Sequence, residues 1–130
     1  MQQGDEAPVL ELVLGRTDLV RYAEASGDFN PMHTDEVKAQ KAKLPSVFGH
    51  GMLSMGILGE ALNDFVGTDN LRRYAVRFVK QTWPGETLRT RVVVDRIHSD
   101  DGVEVVELTC SLENADGEVK VTGDATAVHR

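Results

Sequence analysis

Gly51 to Val66 is a helical stretch that is apolar on more than one side. Met52, Leu53, Met55, Ile57, Leu58, Ala61, Leu62, Phe65 and Val66 spread round most of the circumference. A helix with so wide an apolar surface is built to be surrounded by protein rather than laid on a surface. Arg73–Gln81, Leu88–Ile97, Val103–Leu112 and Val119–Val128 follow it, each alternating apolar with polar residues, the period of a half-buried strand. Trp83-Pro84-Gly85-Glu86 reads as a turn. Ser99-Asp100-Asp101-Gly102 and Asn114-Ala115-Asp116-Gly117 carry the Asp-Gly signal of tight hairpins. One long apolar helix followed by an antiparallel meander predicts an α+β domain whose sheet bends strongly to cover the helix. Gly51, Gly56 and Gly59 lie within that helix. Each interior glycine costs about 1 kcal/mol against alanine. The expected compensation is close approach of another backbone.

The first half is shorter-ranged. Val9 to Leu14 reads as a strand ended by Gly15, with Thr17 as N-cap of a helix from Asp18 to Ala25 and Gly27 as its stop. Thr34 to Ala42 predicts a short helix, and Leu44 to Phe48 a loop. At 130 residues the chain is expected to be one domain, 1–130. Its net charge of −7 argues against non-specific nucleic-acid binding, which needs a basic face. The single cysteine, Cys110, excludes an intramolecular disulfide and sits in an apolar alternation as a small hydrophobe. That usage, with the polar, acidic Met1–Pro8 and no apolar run of about 18 residues, predicts a cytoplasmic protein with no membrane span.

The chemistry concentrates in Ser26-Gly27-Asp28-Phe29-Asn30-Pro31-Met32-His33. Pro31 fixes its own φ and pushes Asn30 into an extended or turn conformation, while Gly27 takes backbone angles closed to other residues. The segment is therefore bent by its covalent chemistry, and Asp28 and His33 can converge. A carboxylate beside an imidazole is what proton transfer requires. Asn30 is expected to hold the loop by side-chain-to-backbone bonds. His50 reads as a helix-entry residue, and Tyr22 and Trp83 as packing residues. One free cysteine and no His-rich ligand spacing give no expectation of a metal site.

Asp28-x-Asn30-Pro31-x-His33, with Ala39 six positions on, His50-Gly51-Met52, Arg77-Phe78 and Pro84-Gly85-Glu86 together resemble the MaoC-like, (R)-specific enoyl-thioester hydratases. The likeness runs from about Gly4 to Val128. It implies the hot-dog fold, a central helix wrapped by a curved antiparallel sheet. It also implies reversible syn addition of water across a trans-2-enoyl thioester to give the (R)-3-hydroxyacyl thioester. Asp28 and His33 would grip one water, with the assignment of each proton transfer left open. The N–H of Gly51, at a helix start, would stabilise the enolate-like intermediate, with Asn30 and Ser54 positioning. The family's later helix serine is matched here by Gly59, a departure. The thioester would be carried by coenzyme A or acyl carrier protein, with no cofactor. Arg72, Arg73, Arg77 and Lys80 are the cations available for its phosphates. A homodimer is expected, or a heterodimer with a related subunit. The alternatives are a hot-dog acyl thioesterase and a non-catalytic acyl-binding subunit of a heterodimeric dehydratase.

Overall fold

The computed structural model describes residues 1–129. The chain runs β1 (Glu11–Val13), α1 (Arg16–Ser26), a 3₁₀ turn (Pro31–His33), α2 (Glu36–Lys41), α3 (Gly51–Val66), β2 (Leu71–Phe78), β3 (Thr87–Asp100), β4 (Val103–Asn114) and β5 (Val119–His129). The strands form one antiparallel sheet in the order β1-β3-β4-β5-β2, which makes an α+β domain with α3 as its long helix.

The hairpin between β3 and β4 turns on Asp101 and Gly102, which have φ of 50° and 80°. Two consecutive left-handed residues are what a tight two-residue turn needs, and Asp-Gly supplies them cheaply. Bulges at Val94/Arg96 in β3 and Leu112/Glu113 in β4 add local bend and twist to the two longest strands.

Leu58, Ala61 and Leu62 of α3 are buried in the same core as Val92 and Val94 of β3, Val106, Leu108 and Leu112 of β4, and Val121, Ala125 and Ala127 of β5. The sheet covers only this side of the helix. Met52 is 58% exposed, and Gly51, Gly56 and Glu60 also face outward. The helix is therefore less enclosed within one chain than its composition suggests, because a single five-stranded sheet cannot reach round both sides. Among the described residues no helix is long and apolar enough to cross a membrane.

The helix glycines make room for rings rather than for backbone. A Cβ on Gly51 would sit 3.3 Å from the Phe78 ring, and one on Gly59 3.3 Å from the Tyr74 ring, whereas Gly56 faces open space. Helix α1 also starts earlier than Thr17. Gly15 is the N-cap, because the Asp18 carboxylate three residues on accepts from the Gly15 N–H at 2.8 Å.

Candidate active site

The loop after α1 is held by a ladder of short-range bonds. Gly27 closes the helix in the left-handed conformation (φ 77°), its N–H donating to the Ala23 carbonyl. Ser26 Oγ donates to the Tyr22 carbonyl and accepts from the Asp28 N–H. Asp28 Oδ1 accepts from the Asn30 N–H at 3.2 Å, and Asn30 Oδ1 accepts from the Met32 N–H at 3.1 Å, capping the 3₁₀ turn that carries His33. Each side chain is spent on backbone two residues away, the usual work of Asx and Ser in bent loops. Asn30 faces the loop's own backbone, and Asp28 keeps Oδ2 free.

His33 Nδ1 lies 2.7 Å from the Phe48 carbonyl. A carbonyl only accepts, so Nδ1 carries a proton, and in the neutral ring Nε2 presents its lone pair. That Nε2 stands 4.0 Å from Asp28 Oδ2, with the imidazole side chain 8% and the carboxylate 52% exposed. The pair is a buried base facing a half-open acid, at a separation where one water bonds to both from the apex of a triangle.

His50, fully buried, is packed into the same place. Its ring stacks on His33 (centroids 3.8 Å, planes 26° apart), with Tyr22 on it at 4.8 Å. Its Nε2 lies 3.1 Å from the Asp28 carbonyl and so donates there, while Nδ1 has no partner. A buried acceptor left open costs about 1–3 kcal/mol. Burial pushes the His50 pKa below its ordinary 6.5, outweighing the bond to the Asp28 carbonyl, which raises it. Asp28, His33 and His50 bring ligand-type atoms within 4.8 Å of one another. The two stacked rings, however, aim their in-plane lone pairs along neighbouring planes rather than at one point, a poor cradle for an ion.

Gly51 opens α3 directly after His50, which offers no side-chain cap, so the first N–H groups of the helix remain available. The helix start is fixed two residues earlier. The Gly49 N–H donates to the Thr82 carbonyl at 2.8 Å, and a Cβ on Gly49 would lie 2.1 Å from Thr82 Oγ1. Only glycine allows this approach. Beside the helix start lies an open cavity of about 790 Å³. Phe48, Phe78, Val79, Trp83 and Val121 form its apolar wall, and Ser54, Lys80, Thr82 and Glu118 its polar one. Asp28 and His33 are not in that wall. Phe48, whose carbonyl holds His33, and Gly51, next to His50, join the pair to the cavity.

The four cations are not gathered. Lys80 borders the cavity, paired with Glu118 at 3.0 Å. Arg73 pairs with Asp124, Arg72 donates to the Asp69 carbonyl, and Arg77 borders a separate shallow depression with Thr122 and Asp124. Strand alternation puts Arg73 and Arg77 on the face opposite Tyr74 and Phe78, away from α3.

Sequence reasoning missed a second polar centre. Lys120, 0% exposed, donates to Glu118 (2.6 Å) and to the Gln81 carbonyl (3.0 Å) and pairs with Glu86 (2.9 Å). Glu86 also accepts from the Trp83 N–H at 2.7 Å and from Asn114 Nδ2 at 2.8 Å. Burial works against the lysine charge, but the two carboxylates outweigh it and hold its pKa above the ordinary 10.5. The sequence signal was a lysine between Val119 and Val121 at the start of an apolar strand.

Several proteins share this architecture. The chain is 39% identical over 79 residues to 3-hydroxyacyl-thioester dehydratase Y of Mycobacterium tuberculosis, covering 58% of this chain and 27% of that protein's length. The solved (R)-hydratase from A. caviae superposes with a TM-score of 0.89 at 23% identity, over 100% of this chain and 98% of that one. The ChsH1-ChsH2 complex of Mycobacterium tuberculosis gives a TM-score of 0.86 at 21% identity, over 100% and 99%. These likenesses identify the fold as the hot-dog fold. The MaoC like domain family matches residues 2–115, and with a match over most of its length the chain belongs to that family.

Proposed function

We propose that this chain is an (R)-specific enoyl-thioester hydratase, equally a (3R)-hydroxyacyl-thioester dehydratase, with Asp28 and His33 as its acid–base pair. The observation that carries this is the orientation of His33. Its Nδ1–H is committed to Phe48, so its basic nitrogen faces the free oxygen of Asp28 at 4.0 Å. Water held between them attacks the β-carbon of the enoyl thioester, and the pair delivers a proton to the α-carbon on the same face. In dehydration His33 Nε2 takes the α-proton, and the pair gives a proton to the departing hydroxide, which leaves as water. Placing such a pair contributes about 10²- to 10⁴-fold in rate. Negative charge develops on the thioester oxygen. The Gly51 N–H, at the positive end of α3, is the donor suited to it, and loss of one such donor costs about 2.7–4 kcal/mol.

The cavity beside this pair suits an acyl chain along Phe48, Phe78 and Trp83. Lys80 is the cation best placed for a phosphate of coenzyme A or of a carrier's phosphopantetheine arm, and Ser54 is a polar group for orientation. No resident cofactor is needed for the chemistry. The working unit we infer is a cytoplasmic homodimer, with a heterodimer the competing arrangement. Supporting a second subunit, β2 is an outer strand of the sheet and Phe78 and Met52 beside the helix start are exposed. Sedimentation of the purified chain decides between self-association and need of a partner.

The test is purified protein with crotonyl-CoA, following loss of the enoyl absorbance and the configuration of the product. The expected result is conversion to the (R)-3-hydroxy thioester with no free thiol. Release of thiol instead makes it a thioesterase. No consumption of any enoyl chain length, on coenzyme A or carrier protein, overturns the proposal and leaves a non-catalytic acyl-binding subunit.

A further inference from the structure

We infer that His50 is a positioning residue of the site: an imidazole that holds the Asp28 main chain and the plane of His33 at once. The inference rests on the hydratase assignment above, and it adds a residue to it.

Three observations carry it. His50 Nε2–H donates to the carbonyl of Asp28 itself, tying the acid's backbone to the residue that precedes Gly51. Its ring lies under that of His33 at 3.8 Å, so the base rests on it face to face. Its Nδ1 is buried with no partner. Buried acceptors are almost always satisfied, and an unsatisfied one needs a reason. Here the reason is electrostatic. A proton on Nδ1 would make His50 a cation against the ring of His33, the group that must accept the proton during turnover. With no protein group to hold a second proton on Nδ1, burial favours the neutral His50 ring and leaves the proton to His33.

The two histidines thus hold opposite tautomers, Nδ1–H on His33 and Nε2–H on His50, each set by one backbone carbonyl. Tyr22, from α1, packs against His50 with its ring plane tilted by 54°. Tyr22, Asp28 and His33 are the titratable groups in contact with His50. One residue therefore sets the mutual placement of acid, base and helix start, three parts that lie on different segments.

Imidazole nitrogen NMR on the wild-type chain tests the arrangement without any assay. At neutral pH we expect one histidine in the Nε2–H form that protonates only below pH 6.5, lost in a His50→Gln variant. A protonated or Nδ1–H His50 overturns the inference. Kinetics with crotonyl-CoA test the role. His50→Phe keeps the stacked ring and loses the donor, and is expected to lower kcat about tenfold to a hundredfold with KM little changed, the cost of a small misplacement. His50→Gln restores an N–H near the Nε2 position but loses the ring under His33, and is expected to recover part of kcat. Equal loss in both variants, or wild-type kcat in His50→Phe, overturns it. If the wild type itself is inactive, the functional assignment falls, while the NMR result still stands for or against the arrangement.

Discussion

The two ends of this molecule's polar interior are built to opposite rules. Round Lys120 every strong group is saturated: the ammonium has three partners between 2.6 and 3.0 Å, and Glu86 accepts from Trp83 and Asn114 as well. Round His33 the valences are left open. Asp28 Oδ2 and His33 Nε2 stand 4.0 Å apart, His50 Nδ1 has no partner, and the Gly51 N–H is uncapped. The Lys120 ammonium itself can only hold structure, because a buried, saturated group has nothing left to offer a ligand. The second centre has a free acid and a free base 4.0 Å apart and an uncapped helix start directly after His50, which is costly to fold and useful for chemistry. Thr82 links them, since Lys120 holds the Gln81 carbonyl and the next residue holds Gly49, two residues before the helix start.

If that contrast is right, the open end fails in rate and the saturated end fails in stability. The largest effect is expected for Asp28→Asn and His33→Ala, each lowering turnover of an enoyl thioester about 10²- to 10⁴-fold. Asp28→Asn should melt within a few degrees of wild type, since its side chain is half exposed. Wild-type turnover in either variant breaks the comparison at its first term. Next comes Lys120→Met, expected to cost about 1–3 kcal/mol in denaturant unfolding, because it strands the part-buried Glu86 carboxylate. Adding Glu86→Gln and Glu118→Gln should recover much of the loss, and no recovery would mean that packing rather than charge sets the cost. Gly49→Ala, which drives a methyl into Thr82 Oγ1, should cost about 1–3 kcal/mol. Thr82→Ala in the same chain should return part of it.

The smallest effect is in pH. The folded His50 pKa lies below 6.5, so the unfolded chain binds its proton first and stability declines as pH falls below 6.5. Glu86 has its folded pKa below 4.5, its bonds to Asn114 and Lys120 outweighing burial, so its contribution is present above 4.5 and lost as pH falls further. Lys120, raised, contributes below 10.5 and loses that contribution as pH climbs through its higher folded value. Melting temperature against pH should therefore bend first near 6.5, and His50→Gln should erase that upper bend alone.

The strands were legible because alternation and Asp-Gly turns are local, and Asp101-Gly102 adopts the backbone those residues favour. The Asp28–His33 loop was legible because Gly27 and Pro31 restrict it covalently. The Lys120 network was not, since its partners Gln81, Glu86, Asn114 and Glu118 meet only when three segments of the meander pack together. The role of His50 was half legible. Its place before Gly51 marked a helix entry, but the stack on His33 joins residues seventeen apart through tertiary packing. The cations of β2 show the limit of charge counting, because strand alternation and local pairing, not composition, decide which of them faces the cavity.

Asp28 and His33 are claimed to act as one unit on one water, and a double-variant cycle measures that most directly. Turnover of crotonyl-CoA by wild type, Asp28→Asn, His33→Ala and the combined variant should show the double variant little worse than the poorer single one, as expected for groups serving the same step. Losses that multiply, or a single variant that turns over like wild type, would contradict it.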